Sequence, residues 1–270
     1  MTNQPLCAVS SLHFSVPDLN HKPLFGSAPI LEILKNINLE IPRGSVMGIV
    51  GESGSGKSTL GRCLVRLNSP SEGKIVFDGK DIAFCGEDEI RPLRKNLQMI
   101  FQDPMSSLNP RRKIGQIVAS ALVACGESRA QAKDKALFAL DHVGLSRDFA
   151  NRYPHQLSGG QRQRVGIARA IALEPKFIVA DEIVSGLDVS NQAQIIVLLE
   201  KLVAELDLTL AFISHDLSIV RRLCDRVAVM RAGEIVEQES SDNIFKNPSN
   251  EYTKALLDAA PLPEITPGWI

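Results

Sequence analysis

Gly51-Glu52-Ser53-Gly54-Ser55-Gly56-Lys57-Ser58-Thr59 fits the phosphate-loop pattern G-x-x-x-x-G-K-[ST] without a gap. Glycines in such a loop let backbone N–H groups approach phosphate oxygens closely. Lys57 is the residue that reaches the β- and γ-phosphates, and Ser58 is the expected Mg²⁺ ligand. The flanks agree with the loop. Ser45 to Val50 reads as a buried strand entering it, and Leu60, Cys63, Leu64 and Leu67 fall on one apolar helix face after it. Strand, loop and helix in that order aim a helix N-terminus at an anion. The stretch predicts that the chain binds a nucleoside triphosphate.

The rest of the composition sets bounds. With 270 residues, 44% hydrophobic and 23% charged, the chain can bury one large core or a domain with an inserted subdomain. A net charge of −1 gives no long-range attraction to nucleic acid or to an anionic membrane, so no nucleic-acid partner is expected. Cys7, Cys63, Cys85, Cys125 and Cys224 are scattered and odd in number. They suit a reducing compartment rather than a disulfide framework or a metal site. No stretch approaches the ~18 apolar residues of a membrane span, and the N-terminus lacks the pattern of a secretory signal. If the protein serves a membrane, it is expected to do so as a peripheral subunit.

Strands and helices alternate along the chain, which predicts an α/β sheet. Ile37, Leu39 and Ile41 alternate with polar residues, and Lys74 to Phe77, Phe177 to Ala180 and Leu208 to Ser214 read as strands. Leu12, Phe14 and Val16 alternate like one buried strand face. Residues 17–30 read as a loop, and Val227 to Val236 as a hairpin broken at Ala232-Gly233. From Ile114 to Val143 the pattern is helical, with Ser128 as an N-cap. Ile195, Leu198, Leu199, Leu202 and Leu206 mark another helix face. Residues 259–270, with three prolines, read as an irregular tail.

Leu157-Ser158-Gly159-Gly160-Gln161 begins one hundred residues after Lys57 and opens the helical pattern Gln161 to Leu173. Ser158 is placed as its N-cap, with glycines exposing backbone donors behind it. Together these segments resemble the ATP-binding subunits of ABC transporters, whose signature is Leu-Ser-Gly-Gly-Gln. The resemblance runs from about residue 8 to 260, with the landmarks in the family's order. It implies a P-loop NTPase (RecA-like) α/β core with an antiparallel β subdomain and an inserted α-helical subdomain. The implied division is 1–101 and 161–250 for core and β subdomain, 102–160 for the helical subdomain, and 251–270 for a C-terminal tail.

The resemblance also implies roles. Asp181 closes the strand Phe177 to Ala180 as a Walker B carboxylate for Mg²⁺, with Ser58 and Gln102 as the other metal ligands. Glu182 is implied as the general base for the attacking water. Gln102, in Phe101-Gln102-Asp103-Pro104, is implied as the Q-loop glutamine, and His215, in Ser214-His215-Asp216, as the γ-phosphate sensor. Asp188, in Ser185-Gly186-Leu187-Asp188, would organise the dimer interface. Phe14 stands where the family stacks an aromatic on adenine; core packing is its other reading, and Phe25 is a second candidate for the stack. In the family, ATP is hydrolysed where one domain's phosphate loop faces the partner's Ser158-Gly159-Gly160-Gln161 equivalent, so a single chain is expected to hydrolyse poorly.

Met99 to Arg111, Arg152-Tyr153-Pro154-His155 and Pro248-x-x-x-Tyr252-Thr253-Lys254-Ala255-Leu256-Leu257 narrow the resemblance to bacterial importers of dipeptides, oligopeptides, nickel and solutes such as opines or glutathione. The implied partners are a second ATPase subunit, non-identical or a second copy, two transmembrane permeases and, indirectly, a periplasmic binding protein. The implied location is the cytoplasmic face of the inner membrane. Ile183 replaces a common Pro, which leaves the backbone less restrained. Gly186 replaces the usual Ala, which loosens its loop. The C-terminal cysteine cluster of many peptide-importer ATPases has no counterpart, so no iron–sulfur cluster is expected. A soluble ABC ATPase of DNA repair or translation would show a coiled-coil insertion or tandem cassettes, and a binding-only regulatory subunit would lack Glu182. An exporter ATPase is a closer rival, opposed by the long segment after Gln102.

Overall fold

The structure is a computed structural model that describes residues 4–21, 26–103 and 107–259. It divides into two compact units, Met1–Phe84 with Phe212–Ile270, and Cys85–Ala211.

The first unit holds a four-stranded antiparallel sheet in the order β2-β1-β4-β5, formed by β1 (Cys7–Pro17), β2 (Ile30–Ile41), β4 (Glu72–Phe77) and β5 (Lys80–Asp81). Alternation in β2 buries Ile37, Leu39 and Ile41, as the sequence predicts. The phase then changes. Asn36 takes φ +49°, and Leu34, an even-numbered position, is fully buried. Ser11 at φ +45° does the same for β1, turning Leu12 inward after Cys7 and Val9. These bulges re-aim side chains that strict alternation would place on the other face. Of the predicted face Leu12, Phe14 and Val16, only Leu12 is fully buried; the other two are half-exposed.

The same unit contains β3 (Val46–Val50), buried at every position and parallel to β9 (Arg226–Arg231). β9 turns back into β10 (Glu234–Ser240) through Ala232 and Gly233, both at positive φ, the geometry a two-residue hairpin requires. α1 (Lys57–Leu64) follows the phosphate loop. It stops earlier than the apolar spacing suggests. Arg66 at φ +55° lets Leu67 and Arg66 donate their N–H groups to the carbonyls of Arg62 and Cys63, a helix-ending motif, and Leu67 is left 49% exposed. Arg66 holds the turn by donating its Nε–H to the Ile82 carbonyl at 2.6 Å. α7 (Leu217–Leu223) packs on β3 at Gly48, where a Cβ would lie 2.9 Å from Val220 Cγ1. α8 (Ser241–Lys246) follows β10, and residues 251–259, placed by sequence in a tail, form a further helix, α9 (Glu251–Ala259), which buries Tyr252 and Thr253. The rest of the tail lies outside the described residues.

In the second unit, β6 (Leu97–Ile100) pairs in parallel with β7 (Phe177–Asp181). α2 (Glu87–Ile90) precedes them; α5 (Gly159–Ile171) packs on β6, and α3 (Ile114–Ala124), α4 (Arg129–His142) and α6 (Val189–Leu206) pack on α5. The long helical pattern of the sequence is two helices, broken where Gly126 takes φ +96° and Ser128 accepts a hydrogen bond from the Gln131 N–H. β8 (Thr209–Ile213) carries the chain back to the first unit. The first unit thus holds an antiparallel sheet and a parallel pair, β3 and β9, that leads into the phosphate loop; the second holds a parallel pair, β6 and β7, and a run of helices.

Candidate functional site: the phosphate loop and the acid-signature cluster

The phosphate loop occupies the gap between β3 and α1. Glu52, Ser53 and Gly54 form its exposed rim, whereas Ser55 and Lys57 are buried. Gly51 sits so close to β9 that a Cβ would lie 2.1 Å from the Met230 carbonyl oxygen, and its φ is +146°. No other residue fits there. The Lys57 ammonium donates to the carbonyls of Gly51 and Glu52 at 2.8 and 2.7 Å, which holds a positive charge at the loop. Ser55 accepts the Gly233 N–H through its carbonyl at 3.1 Å, while its buried hydroxyl has no hydrogen-bond partner among the described residues. A buried hydroxyl without a partner fits a loop built to receive a polar ligand. Lys57, Ser58 and Thr59 open α1, so the helix N-terminus faces the loop.

Two more predicted residues lie in the same unit. Phe14 is the register partner of Leu34, whose Cδ2 would touch a Cβ at Gly56. The half-exposed ring therefore stands one strand away from the loop. His215 is exposed just beyond β8, and its neighbour Ser214 donates its N–H to the Ile49 carbonyl on β3 at 3.3 Å. Asp216 caps α7 by accepting the N–H groups of Ser218 and Ile219.

The second unit carries both the acid and the signature. Asp181 ends β7 and is 4% exposed. Glu182 follows at φ +48°, a strained conformation for a residue with a β-carbon, of the kind that clusters at functional sites. Its carbonyl accepts from Ser185 Oγ at 2.7 Å and from the Ser185 N–H at 3.1 Å. Gln102 Nε2 donates to Glu182 Oε2 at 3.1 Å and lies 3.3 Å from Ser185 Oγ. Ile183, expected to leave the backbone less restrained, is 1% exposed: packing and the Ser185 bonds supply the restraint that a proline ring would. Gly186 has φ +75° with nothing within 4 Å of a Cβ, so its role is conformational.

Ser158 caps α5 as the sequence predicts. Its hydroxyl accepts the Gln161 N–H at 3.3 Å, and Gln161 Oε1 accepts the Ser158 N–H at 3.0 Å. Asp188 caps α6 by accepting the Asn191 N–H at 2.9 Å, and these hydrogen bonds hold its carboxyl below the usual range. The two caps meet. A Cβ on Gly160 would lie 2.6 Å from Asn191 Oδ1, a contact sequence reading did not foresee. Phe25, Pro104, Met105 and Ser106 lie outside the described residues. In the same unit a cavity of about 900 Å³ opens between α3 and α4, lined by Arg112, Lys113, Arg129 and Lys133 around Ala119 and Val123.

A family model described as "ABC transporter" matches residues 34–185, more than half of the chain. The chain belongs to the ABC transporter family. Within that family, a Brucella ovis protein is 48% identical over 98% of this chain and 81% of its own length; its name provisionally assigns it as a peptide import ATP-binding protein. The oligopeptide transport ATP-binding protein OppF of Streptococcus mutans is 47% identical over 88% of this chain and 78% of its own. The ATP-binding cassette MJ0796, solved as a post-hydrolysis dimer with ADP and Pi, superposes with a TM-score of 0.76 at 31% identity. That match covers 87% of this chain and 98% of the cassette. This ABC protein is an ATPase with a P-loop NTPase fold, and ATP is its nucleotide.

Proposed function

We propose that this chain is the ATP-hydrolysing subunit of a bacterial importer for di- or oligopeptides or a related solute. The names of its relatives support the substrate class, and the bond from Gln102 to Glu182 carries the catalytic assignment. The phosphate loop, residues 51–59, binds the phosphates through its amides and Lys57, with Phe14 against the adenine. Glu182 accepts a proton from the attacking water, and Gln102 fixes the carboxylate that does so. His215 reads the γ-phosphate. Phosphoryl transfer depends mostly on positioning and charge, and these residue types supply both.

Mg²⁺ fits the donors available. Ser58, Gln102 and Asp181 offer hydroxyl, amide and carboxylate oxygens, the set a hard cation takes, and the buried Asp181 carboxylate is suited to a cation. When bound, the ion neutralises charge on the β- and γ-phosphates.

Two such chains, or this chain and a non-identical ATPase, pair so that Ser158, Gly159, Gly160 and Gln161 of one complete the site of the other, with Asp188 at the junction. No described helix is long and apolar enough to cross a membrane. We assign the chain to the cytoplasmic face of the inner membrane, held by two permeases that receive substrate from a periplasmic binding protein. The basic cavity beside α3 lies just after the segment 102–111 and suits an acidic permease loop.

Reconstitution with two permeases, an ATPase partner and a periplasmic binding protein tests this function. ATP turnover should rise strongly when a di- or oligopeptide is supplied. Stimulation by nickel or an opine alone would reassign the solute, and absence of any solute response would overturn the importer reading.

A further inference from the structure

Tyr252 lies 200 residues after Glu52, yet its hydroxyl accepts the Glu52 backbone N–H at 3.2 Å. The phosphate loop therefore has a support in the C-terminal helix α9. That support is itself held from several sides. Asn250 Oδ1 accepts the Tyr252 N–H at 2.8 Å, and Asn250 Nδ2 donates to the Val236 carbonyl at 3.3 Å. The Glu237 carboxylate accepts the N–H groups of Ser249 and Asn250 at 2.7 and 3.2 Å, which ties the turn before α9 to β10. The Arg231 guanidinium lies 4.9 Å from the centre of the Tyr252 ring. Tyr252 is 9% exposed, and burial raises its hydroxyl pKa, so it stays a neutral phenol.

Arg231 and its neighbour Met230 link this support to the loop a second time, because the Met230 carbonyl closes on Gly51. Gly233, two residues on, donates to the Ser55 carbonyl. The loop is thus held at Gly51 and Ser55 by the β9–β10 hairpin and at Glu52 by α9. A loop fixed in this way presents its remaining amides without an ordering cost at the moment of binding.

We propose that Tyr252 is a positioning residue for nucleotide binding, its hydroxyl holding the Glu52 end of the phosphate loop in the conformation that receives phosphate. The proposal rests on the ATPase reading and adds α9 to the nucleotide site. It touches no reacting atom, so its effect falls on affinity rather than on the chemical step.

Tyr252→Phe is the test, because it keeps the ring over Arg231 and removes only the hydroxyl. Nucleotide affinity, measured with ADP and with a non-hydrolysable ATP analogue, should weaken by about fivefold, the range for one net hydrogen bond. KM for ATP should rise with it while kcat stays within about twofold. Amide exchange at Glu52, slow in the wild-type chain without nucleotide, should speed up by a similar factor in the variant. Tyr252→Ala should lose thermal stability as well, since it also removes the buried ring. Unchanged affinity and KM in Tyr252→Phe would reduce the tyrosine to an anchor of α9 and overturn the proposal. So would fast exchange at Glu52 in the wild-type chain, a readout that needs no variant. A wild-type chain that binds no nucleotide would overturn the ATPase reading, and the role of Tyr252 with it.

Discussion

Gln102 Nε2 and Glu182 Oε2 are joined by a hydrogen bond of 3.1 Å across eighty residues of sequence. A glutamine from the end of β6 thereby orients a carboxylate from the end of β7, the strand that β6 pairs with. Gln102→Ala should lower ATP turnover by about tenfold to a hundredfold, the scale for misplacing a reacting group. Nucleotide affinity measured without Mg²⁺ should be retained, since Gln102 is assigned no direct contact with ATP. Titration with a fluorescent nucleotide beside a turnover assay checks both. A variant with wild-type turnover would mean that the bond does not matter for the base.

Lys57 donates to two loop carbonyls and is 5% exposed, so it supports the loop in addition to its proposed contact with the phosphates. Lys57→Ala should weaken ATP binding by about a hundredfold, the upper range for a charge-assisted hydrogen bond. Fluorescence titration of the folded variant decides the matter. Unchanged affinity would remove the phosphate-loop assignment.

Much of this was legible in the sequence, and the reasons are specific. Residues 51–59 announce themselves because phosphate binding demands glycines and lysine at fixed spacing. Ser158 is legible as a cap because the residue three positions on is Gln161, which completes a reciprocal pair of bonds. Other features depend on backbone angles that letters do not encode. The left-handed turns at Ser11, Asn36 and Arg66 shift two strand faces and end α1 before Leu67. The same holds for Glu182, whose positive φ no neighbouring residue type requires. Tyr252 was visible only as part of a branch-specific stretch; its bond to Glu52 needs the tertiary fold.

Gly160 and Asn191 should be coupled. A Cβ on Gly160 would press on Asn191 Oδ1 at 2.6 Å. Gly160→Ala is expected to cost about 1–3 kcal/mol, the usual scale of overpacking. Asn191→Ala in the same chain should recover part of that loss, although it also removes the Asp188 contact. Thermal unfolding of the two single variants and the double variant gives the interaction energy. Strict additivity would show that the two residues do not press on one another.

The five cysteines should separate by reactivity. Cys125 is exposed, while Cys7, Cys63 and Cys224 are buried, and burial pushes the thiols of Cys7 and Cys63 up to about 12 and that of Cys224 higher still. At neutral pH a thiol reagent should label Cys125 first and Cys85 more slowly, leaving three protected until the chain unfolds. Mass spectrometry of the timed reaction reads the order. Early labelling of Cys63 would contradict the packing of α1 behind the phosphate loop.

Glu182→Gln decides whether this chain hydrolyses ATP with Glu182 as the base. The substitution keeps the shape of the side chain and removes its basicity. In the transporter assembled with its permeases and ATPase partner, the variant should bind ATP as tightly as wild type. It should hydrolyse ATP about a hundredfold or more slowly, and a dimer with ATP still bound should accumulate. Turnover close to wild type, measured in that same assembly, would show that Glu182 is not the base.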